Sequence, residues 1–199
     1  MCRTAENGDT EGFAELRHLL VRMDRPDLEG LPTVRLPEGY RLERAREGFE
    51  ATWAGIINAA FGDENWTAAS CREQFSGHER FEHEGMFFAV SPEGEAVATA
   101  FAWLDTPDER VCGRVHWVGS LPEHRGKGLG RAVTLAVLHY FRASSFARAF
   151  LETESYRLPA IRLYLSLGFE PTPRDAEHEE CWREIMEKIR QLDEKRCGR

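Results

Sequence analysis

The chain has 199 residues, of which 42% are hydrophobic and 30% are charged, as is typical of a globular protein with one substantial core. A formal net charge of −8 at pH 7 argues against a nucleic-acid-binding protein, and no apolar run approaches the ~18 residues of a transmembrane helix. The five cysteines show no CxxC or Cys/His ligand spacing, so we expect no metal site and no disulfide framework, as fits a protein of the reducing cytoplasm. From the charge and the lack of a long apolar run we expect neither a nucleic-acid partner nor a membrane partner.

The first 37 residues are predicted to form an N-terminal extension. Residues 1–16 are expected to be mobile or loosely helical, whereas the pattern His-Leu-Leu-Val-Arg-Met at residues 18–23 predicts a strand. Residues 24–37 contain three prolines and therefore predict an extended connector.

The next segments alternate between strand and helix patterns. Thr67 is a candidate N-cap, but Ser70 stands where a capping box would have Glu. We predict a strand at 40–45, helices at 49–61 and from 67 to about 75, a hairpin of strands 85–90 and 96–104 around the turn 91–94, and a further strand at 114–120.

A glycine-rich hexapeptide, Arg-Gly-Lys-Gly-Leu-Gly at residues 125–130, lies between this last strand and an apolar-periodic helix at 128–142. Glycine permits positive φ angles and close approach of a ligand. A helix start presents unpaired N–H groups and partial positive charge. The order strand, glycine loop, helix therefore predicts an anion site, most simply for a phosphate or pyrophosphate.

Two common phosphate-binding patterns do not fit this loop. A Walker A loop needs Ser or Thr after its lysine, and here Gly128 follows Lys127. A Rossmann fingerprint needs G-x-G-x-x-G near the first strand, whereas the spacing here is G-x-G-x-G. Residues 111–150 nevertheless hold six basic residues and one acidic residue, a local excess that suits a small polyanion.

A second motif follows a predicted strand at 149–154. Residues 159–171 read Pro-Ala-Ile-Arg-Leu-Tyr-Leu-Ser-Leu-Gly-Phe-Glu-Pro. Ala160, Leu163, Tyr164 and Leu167 share one helical face, and Gly168 is a suitable residue to end the helix. Phe169 then begins a short extended piece.

The two motifs together resemble the signatures of the GNAT superfamily of N-acetyltransferases. Arg125, Gly128 and Gly130 fill the acyl-CoA pattern R-x-x-G-x-G, and residues 160–169 fill A-x-x-L-Y-x-x-L-G-F. The detailed resemblance covers residues 112–171. It implies an α/β (α+β) fold with a single domain at 38–176, whose mixed, mostly antiparallel sheet of about six strands is flanked by helices.

The C-terminal segment departs from this family pattern. Many members end with a β-hairpin, whereas residues 177–199 predict an amphipathic helix in place of its second strand. Packing on the domain and dimerisation into a homodimer are the two alternatives for this helix. Its apolar stripe consists of Trp182, Ile185, Met186, Ile189 and Leu192.

The resemblance implies acetyl transfer from acetyl-CoA, as co-substrate and without a metal, to a small-molecule or peptide amine by direct attack in a ternary complex. The alternatives are another acyl donor, a non-amine acceptor, or an acyl-CoA-binding regulatory module without turnover. Arg157 stands where relatives often have Asn, and either contacts a CoA phosphate or lies in solvent. The implied CoA-binding residues are Val118, Ser120, Arg125, Gly126, Lys127, Gly128, Leu129, Gly130, Arg131 and Arg157.

Tyr164 matches the general acid of the family and is expected to protonate the departing thiolate. His116 is the candidate base, because strict strand alternation places it on the same side as Val118 and Ser120, and because an ordinary histidine titrates near neutral pH. Glu152, Glu154 and a chain of waters are the alternative proton routes. The acceptor pocket is expected to involve residues 61–66, where Asp63 and Glu64 could attract a cationic amine.

Overall fold

A seven-stranded sheet forms the centre of this computed structural model, which describes residues 18–62, 64–105 and 111–197. The strand order is β2-β3-β4-β5-β6-β1-β7, and all neighbours are antiparallel except the parallel pair β5–β6. The predicted mixed, mostly antiparallel sheet is thus confirmed, with one strand more than expected. The strands are β1 Leu20–Arg25, β2 Arg41–Arg44, β3 Phe81–Val90, β4 Ala96–Leu104, β5 Cys112–Ser120, β6 Arg148–Glu154 and β7 Glu170–Pro171.

Within the described ranges, five α-helices flank the sheet. Gly62 ends the first of them with φ 80°, and Thr67 caps the second. Ser70 takes the part that Glu plays in a capping box, because its hydroxyl accepts a hydrogen bond from the Thr67 N–H at 2.9 Å. The helices are α1 Glu50–Phe61, α2 Ala68–Cys71 with a π-helical turn at Arg72–Ser76, α3 Leu129–Ala143, α4 Leu158–Ser166 and α5 Ala176–Cys197, and a short 3₁₀ turn spans Pro122–His124.

The helices divide the core into two layers. On one side, here called the α3 face, α3, α4 and α5 bury a largely aliphatic cluster against the sheet. On the other side, the α1 face, α1 and α2 cover an aromatic cluster around Trp53 and Phe101. Both rings are nearly inaccessible to solvent, with exposures of 0% and 1%.

β1 lies inside the sheet although it comes from the predicted N-terminal extension. It pairs along its length with β6, from Leu20 opposite Glu154 to Arg25 opposite Ala149, and its other edge pairs with β7. The N-terminal strand therefore takes the place beside β6 that the second strand of a C-terminal hairpin would take. Consistently, α5 packs on the domain through Trp182, Ile185 and Ile189, while its predicted role in dimerisation stays untested.

The predicted N-terminal segment at residues 1–16 and the predicted acceptor-pocket residue Asp63 lie outside the described residues. Within the described ranges, no helix is long and apolar enough to cross a membrane. The same ranges hold no group of three His, Cys, Asp or Glu side chains that could bind a metal ion. Cys71, Cys112 and Cys181 are free thiols.

Candidate functional site

The parallel strands β5 and β6 diverge halfway along the sheet. They pair only from Cys112 opposite Arg148 to Arg114 opposite Phe150. Beyond this point β5 continues to Ser120 and β6 to Glu154 with no further pairing between these two described strands. The fork leaves one backbone edge of the last part of β5 open to a ligand.

A β-bulge in β5 decides which side chains face the fork. Trp117 has φ 46°, and the register with β4 shifts between the pairs Thr99–Gly119 and Phe101–His116. The bulge inserts one residue, so strict alternation fails across it. A side chain before the bulge therefore points to the opposite face from the one that alternation predicts.

The predicted alignment of His116 with Val118 and Ser120 is wrong for this reason. Val118 packs against the cluster on the α3 face, whereas the His116 ring lies 5.7 Å from Phe75 and 5.3 Å from Phe101 on the α1 face. Val118 and Ser120 follow the bulge in the part of β5 that does not pair with β6. The His116 side chain lies on the opposite face of the sheet from that of Val118.

The glycine-rich loop starts α3 in an open conformation. Gly126 and Gly128 have φ 75° and 78°, and a Cβ atom built on either residue would meet nothing within 4 Å. Gly128 is the N-cap of α3 and no side chain caps this helix end, which leaves its first N–H groups available to an anion. Leu129 is 1% exposed, so it can offer only its backbone.

The two predicted cations of the loop, Arg125 and Lys127, both donate hydrogen bonds to other parts of the protein. The Arg125 guanidinium donates to the carbonyl oxygen of Ala60, at the end of α1, over 2.7 Å. The Lys127 ammonium donates to the Tyr40 hydroxyl over 2.9 Å, and this hydroxyl also lies 2.9 Å from Nδ1 of His124. Neither Tyr40 nor His124 was among the predicted site residues, because no motif links residue 40 to the loop.

The remaining predicted cations contact α4 and α1. Arg131 donates to the Ser166 hydroxyl over 2.9 Å, which joins the first turn of α3 to the end of α4. The Arg157 guanidinium lies 4.2 Å from the centre of the Phe61 ring and 5.4 Å from that of Tyr156. Arg157 therefore bridges the α4 side and the α1 side of the fork and does not simply lie in solvent.

Tyr164 lies on the inward face of α4, close to the ring of Phe169, and is 5% exposed. Burial raises the pKa of its hydroxyl well above the ordinary value, and the nearby charge of Arg157 opposes that shift only in part. The phenol is thus protonated throughout the neutral range, which is the state that a proton donor needs.

His116 lies at the edge of the aromatic cluster, next to Arg114. Burial, and secondarily the positive charge of Arg114, lower the pKa of the imidazole to about 3. The ring is therefore neutral near pH 7 but is a weak base. A titration near pH 6–7, which we expected of a catalytic His116, does not fit this environment.

α1 packs on β4 and β5. The part of the α1 face over β6, β1 and the start of β5 carries ion pairs instead. Arg114 contacts Glu152 at 2.7 Å, and Arg22 contacts Asp24 at 2.8 Å. The Arg22 guanidinium also lies 3.9 Å above the ring of Phe150, which is 3% exposed. These side chains form the charged floor on the β6 side of the fork.

The segment between α1 and α2 is anchored by Asn58. Its amide donates to the Trp66 carbonyl over 2.9 Å and accepts from the Trp66 N–H over 2.8 Å. Trp66 thereby lies 5.2 Å from the rings of both Trp53 and Trp117. Trp66 belongs to the predicted acceptor segment, whereas its contact with Trp117 was not predicted, because the bulge that brings Trp117 to it has no simple sequence signal.

Comparisons with known proteins agree with this geometry. A model of the acetyltransferase (GNAT) family matches residues 45–169. A mycothiol acetyltransferase from Thermobispora bispora is 34% identical over 79% of this chain and 56% of its own length. One from Thermomonospora curvata is 33% identical over 80% of this chain and 54% of its own.

A crystal structure shares the fold. The GCN5-related N-acetyltransferase from Sphaerobacter thermophilus superposes with a TM-score of 0.65 and 22% identity, over 79% of this chain and 50% of that one. The chain thus spans about half the length of the relatives that it matches.

Proposed function

Because the chain belongs to the acetyltransferase (GNAT) family, we propose that it is an acetyl-CoA-dependent N-acetyltransferase acting on a small-molecule amine. The observation that carries the proposal is the fork between β5 and β6 next to the open loop at Gly126 and Gly128. The loop is suited to the pyrophosphate of CoA, and the fork to the extended pantetheine arm.

The acyl group would be bound by backbone donors. With the thioester in the fork, the N–H groups of Val118 and Ser120 on the open edge of β5 are the candidates to bind pantetheine and polarise the acyl carbonyl. Fixed N–H donors of this kind are typically worth several kcal/mol in the transition state. The amine nitrogen then attacks the carbonyl carbon, the C–S bond breaks, and the thiolate takes up a proton.

Tyr164 is the proposed source of that proton. Its side chain is on the inward face of α4, and its raised pKa keeps the hydroxyl protonated. Proton donation from a phenol to a thiolate requires the two groups to be in hydrogen-bonding contact in the ternary complex.

The proton of the attacking amine must leave by another route. His116 is a poor acceptor because its pKa is lowered to about 3. Glu152 is engaged with Arg114 at 2.7 Å. Glu154 ends β6, on the same face as Glu152 and at the open end of the fork, and we therefore propose Glu154, directly or through water, as the proton acceptor.

The name of the similar proteins suggests where to look for the acceptor. A mycothiol-type amine is the first candidate, and Trp66 and Trp117 with the charged floor at Glu152 supply its proposed binding surface. A regulatory acyl-CoA-binding module remains the alternative function. Release of CoA thiol from acetyl-CoA across a panel of amines distinguishes the two, because the module would bind acetyl-CoA and release no thiol.

The binding step is tested by calorimetry with Gly128→Val. The substitution forces a branched side chain into a φ of 78° and into the space that the pyrophosphate needs, so acetyl-CoA affinity should fall at least about 100-fold. Gly48→Val is the matched control, since Gly48 has φ 82° and open space but precedes α1, at the end of that helix opposite to the Arg125 contact at Ala60. Unchanged affinity in Gly128→Val would refute the proposed loop site.

A further inference from the structure

A groove separates the connector before β2 from the first turns of α3. It has a volume of about 480 Å³ and is lined by Pro32, Thr33, Arg35, Arg131 and Leu135. The connector is fixed there, because the His139 imidazole lies 2.9 Å from the carbonyl oxygen of Pro32. The groove therefore lies between two fixed segments. On α3 it begins at Arg131, the residue that directly follows the glycine-rich loop.

The charge of this groove is unusual for the molecule. Its lining contains two arginines and no carboxylate, in a chain with a formal net charge of −8. Three other surface grooves each include at least one glutamate. Two guanidinium groups without a competing carboxylate form a site suited to a phosphate monoester, which they can bind through several charge-assisted hydrogen bonds.

The position of Arg131 connects the groove to the proposed substrate. Arg131 lies in the first turn of α3, directly after the loop proposed for the pyrophosphate. It uses one guanidinium nitrogen to bind Ser166 over 2.9 Å, so its other N–H groups can face the groove. Arg35 reaches the same groove from the connector, more than ninety residues away in sequence.

We propose that this groove binds the 3′-phosphate of the ribose of acetyl-CoA, with Arg35 as the residue that selects for it. The inference rests on the proposed function, because it places the third phosphate of the same ligand. It gives the Pro-rich connector a role in substrate recognition that neither motif of the sequence indicates.

Calorimetry with acetyl-CoA and with 3′-dephospho-acetyl-CoA tests the proposal. The wild-type protein should bind acetyl-CoA about tenfold more tightly than the dephospho form. Arg35→Ala should weaken acetyl-CoA binding about five- to tenfold and leave the dephospho form unaffected, while Arg35→Lys should retain part of the preference. Arg142→Ala is the control, since Arg142 is on the same helix but pairs with Glu29, and should change neither affinity.

Several results would overturn the proposal. Equal wild-type affinities for the two ligands would exclude a 3′-phosphate site, as would an Arg35→Ala variant that loses affinity for both ligands equally. Inorganic phosphate that binds in an Arg35-dependent way, and that acetyl-CoA does not displace, would make the groove an independent anion site. Failure of the wild-type protein to bind either nucleotide would instead refute the proposed function itself.

Discussion

The two halves of the α1 face differ in their side chains, which are mainly aromatic in one half and mainly charged in the other. Over β3, β4 and the end of β5, α1 and α2 seal an aromatic cluster in which Trp53 is fully buried. Over β6, β1 and the start of β5, the sheet surface carries the ion pairs Arg114–Glu152 and Arg22–Asp24. The fork begins where the two halves meet. The comparison indicates that the aromatic half supplies stability, whereas the charged half is a polar surface that a ligand can approach.

The largest expected effect tests the stability of the aromatic half. Trp53→Ala removes a ring that contacts Trp66, Phe75 and Trp117, and should lower the free energy of unfolding by about 3–5 kcal/mol. Phe150→Ala in the charged half should lower the free energy of unfolding by about 2 kcal/mol less than Trp53→Ala does, because guanidinium groups cover the Phe150 ring. Urea unfolding of both variants measures the difference, and equal losses would show that the aromatic half contributes no more to stability than the charged half.

His116, at the border of the two halves, provides a pH test. Its pKa is lowered from 6.5 to about 3 in the folded protein, so the unfolded state binds the proton more readily. The resulting stability is present above pH 6.5 and is lost as the pH falls toward 3.

Allowing for partial solvent screening of this side chain, we expect a loss of about 2 kcal/mol between pH 6.5 and 4.5. His116→Leu should remove that part of the pH dependence, whereas His83→Leu, at an exposed position, should not. An unaltered pH dependence in His116→Leu, followed by urea unfolding, would show that the imidazole titrates normally.

A substitution of Tyr164 tests whether a buried residue on the α3 face takes part in the proposed chemistry. Tyr164→Phe should lower kcat about tenfold, equivalent to about 1.4 kcal/mol, with KM for acetyl-CoA nearly unchanged. Its thermal stability should stay close to that of the wild type, since the rings have similar volume. Equal kcat values, with the chemical step rate-limiting, would exclude the acid role.

The smallest effect concerns the charged half. A double-mutant cycle with Arg114→Met and Glu152→Gln should give a coupling energy of about 1 kcal/mol, because both side chains are only about one-fifth exposed, at 21% and 20%. The exposed pair Arg190–Glu187 on α5 should give about 0.3 kcal/mol. Equal couplings in urea unfolding would mean that the charged half is no more ordered than the rest of the surface.

The sequence was sufficient for the parts that depend on local patterns. The loop at 125–130, the helix around Tyr164 and the hairpin of β3 and β4 were predicted, because glycine positions and apolar periodicity report directly on backbone conformation. The bulge at Trp117 was not predictable, since it depends on how β5 pairs with β4. It reversed the face of His116 and made its predicted alignment with Val118 and Ser120 wrong.

Contacts between segments that are distant in the sequence could not be predicted from local patterns either. Nothing near residues 20–25 indicates that β1 pairs with β6, and nothing near Arg125 indicates that its guanidinium binds the carbonyl oxygen of Ala60. Such contacts depend on tertiary packing between distant segments, whereas motif reading can only state which side chains are chemically suitable for a site.

The position of β1 has a consequence for folding. Leu19 and Ser155, hydrogen-bonded at the end of the β1–β6 pair, are 136 residues apart in sequence. During synthesis β1 emerges long before β6, and β2 to β5 and the helices between them lie in between. This pairing therefore raises the contact order and is expected to form late. Until then β6 has an unprotected edge on the side facing away from β5, where another chain could pair with it. Deleting residues up to 25 should therefore yield a protein prone to self-association through β6.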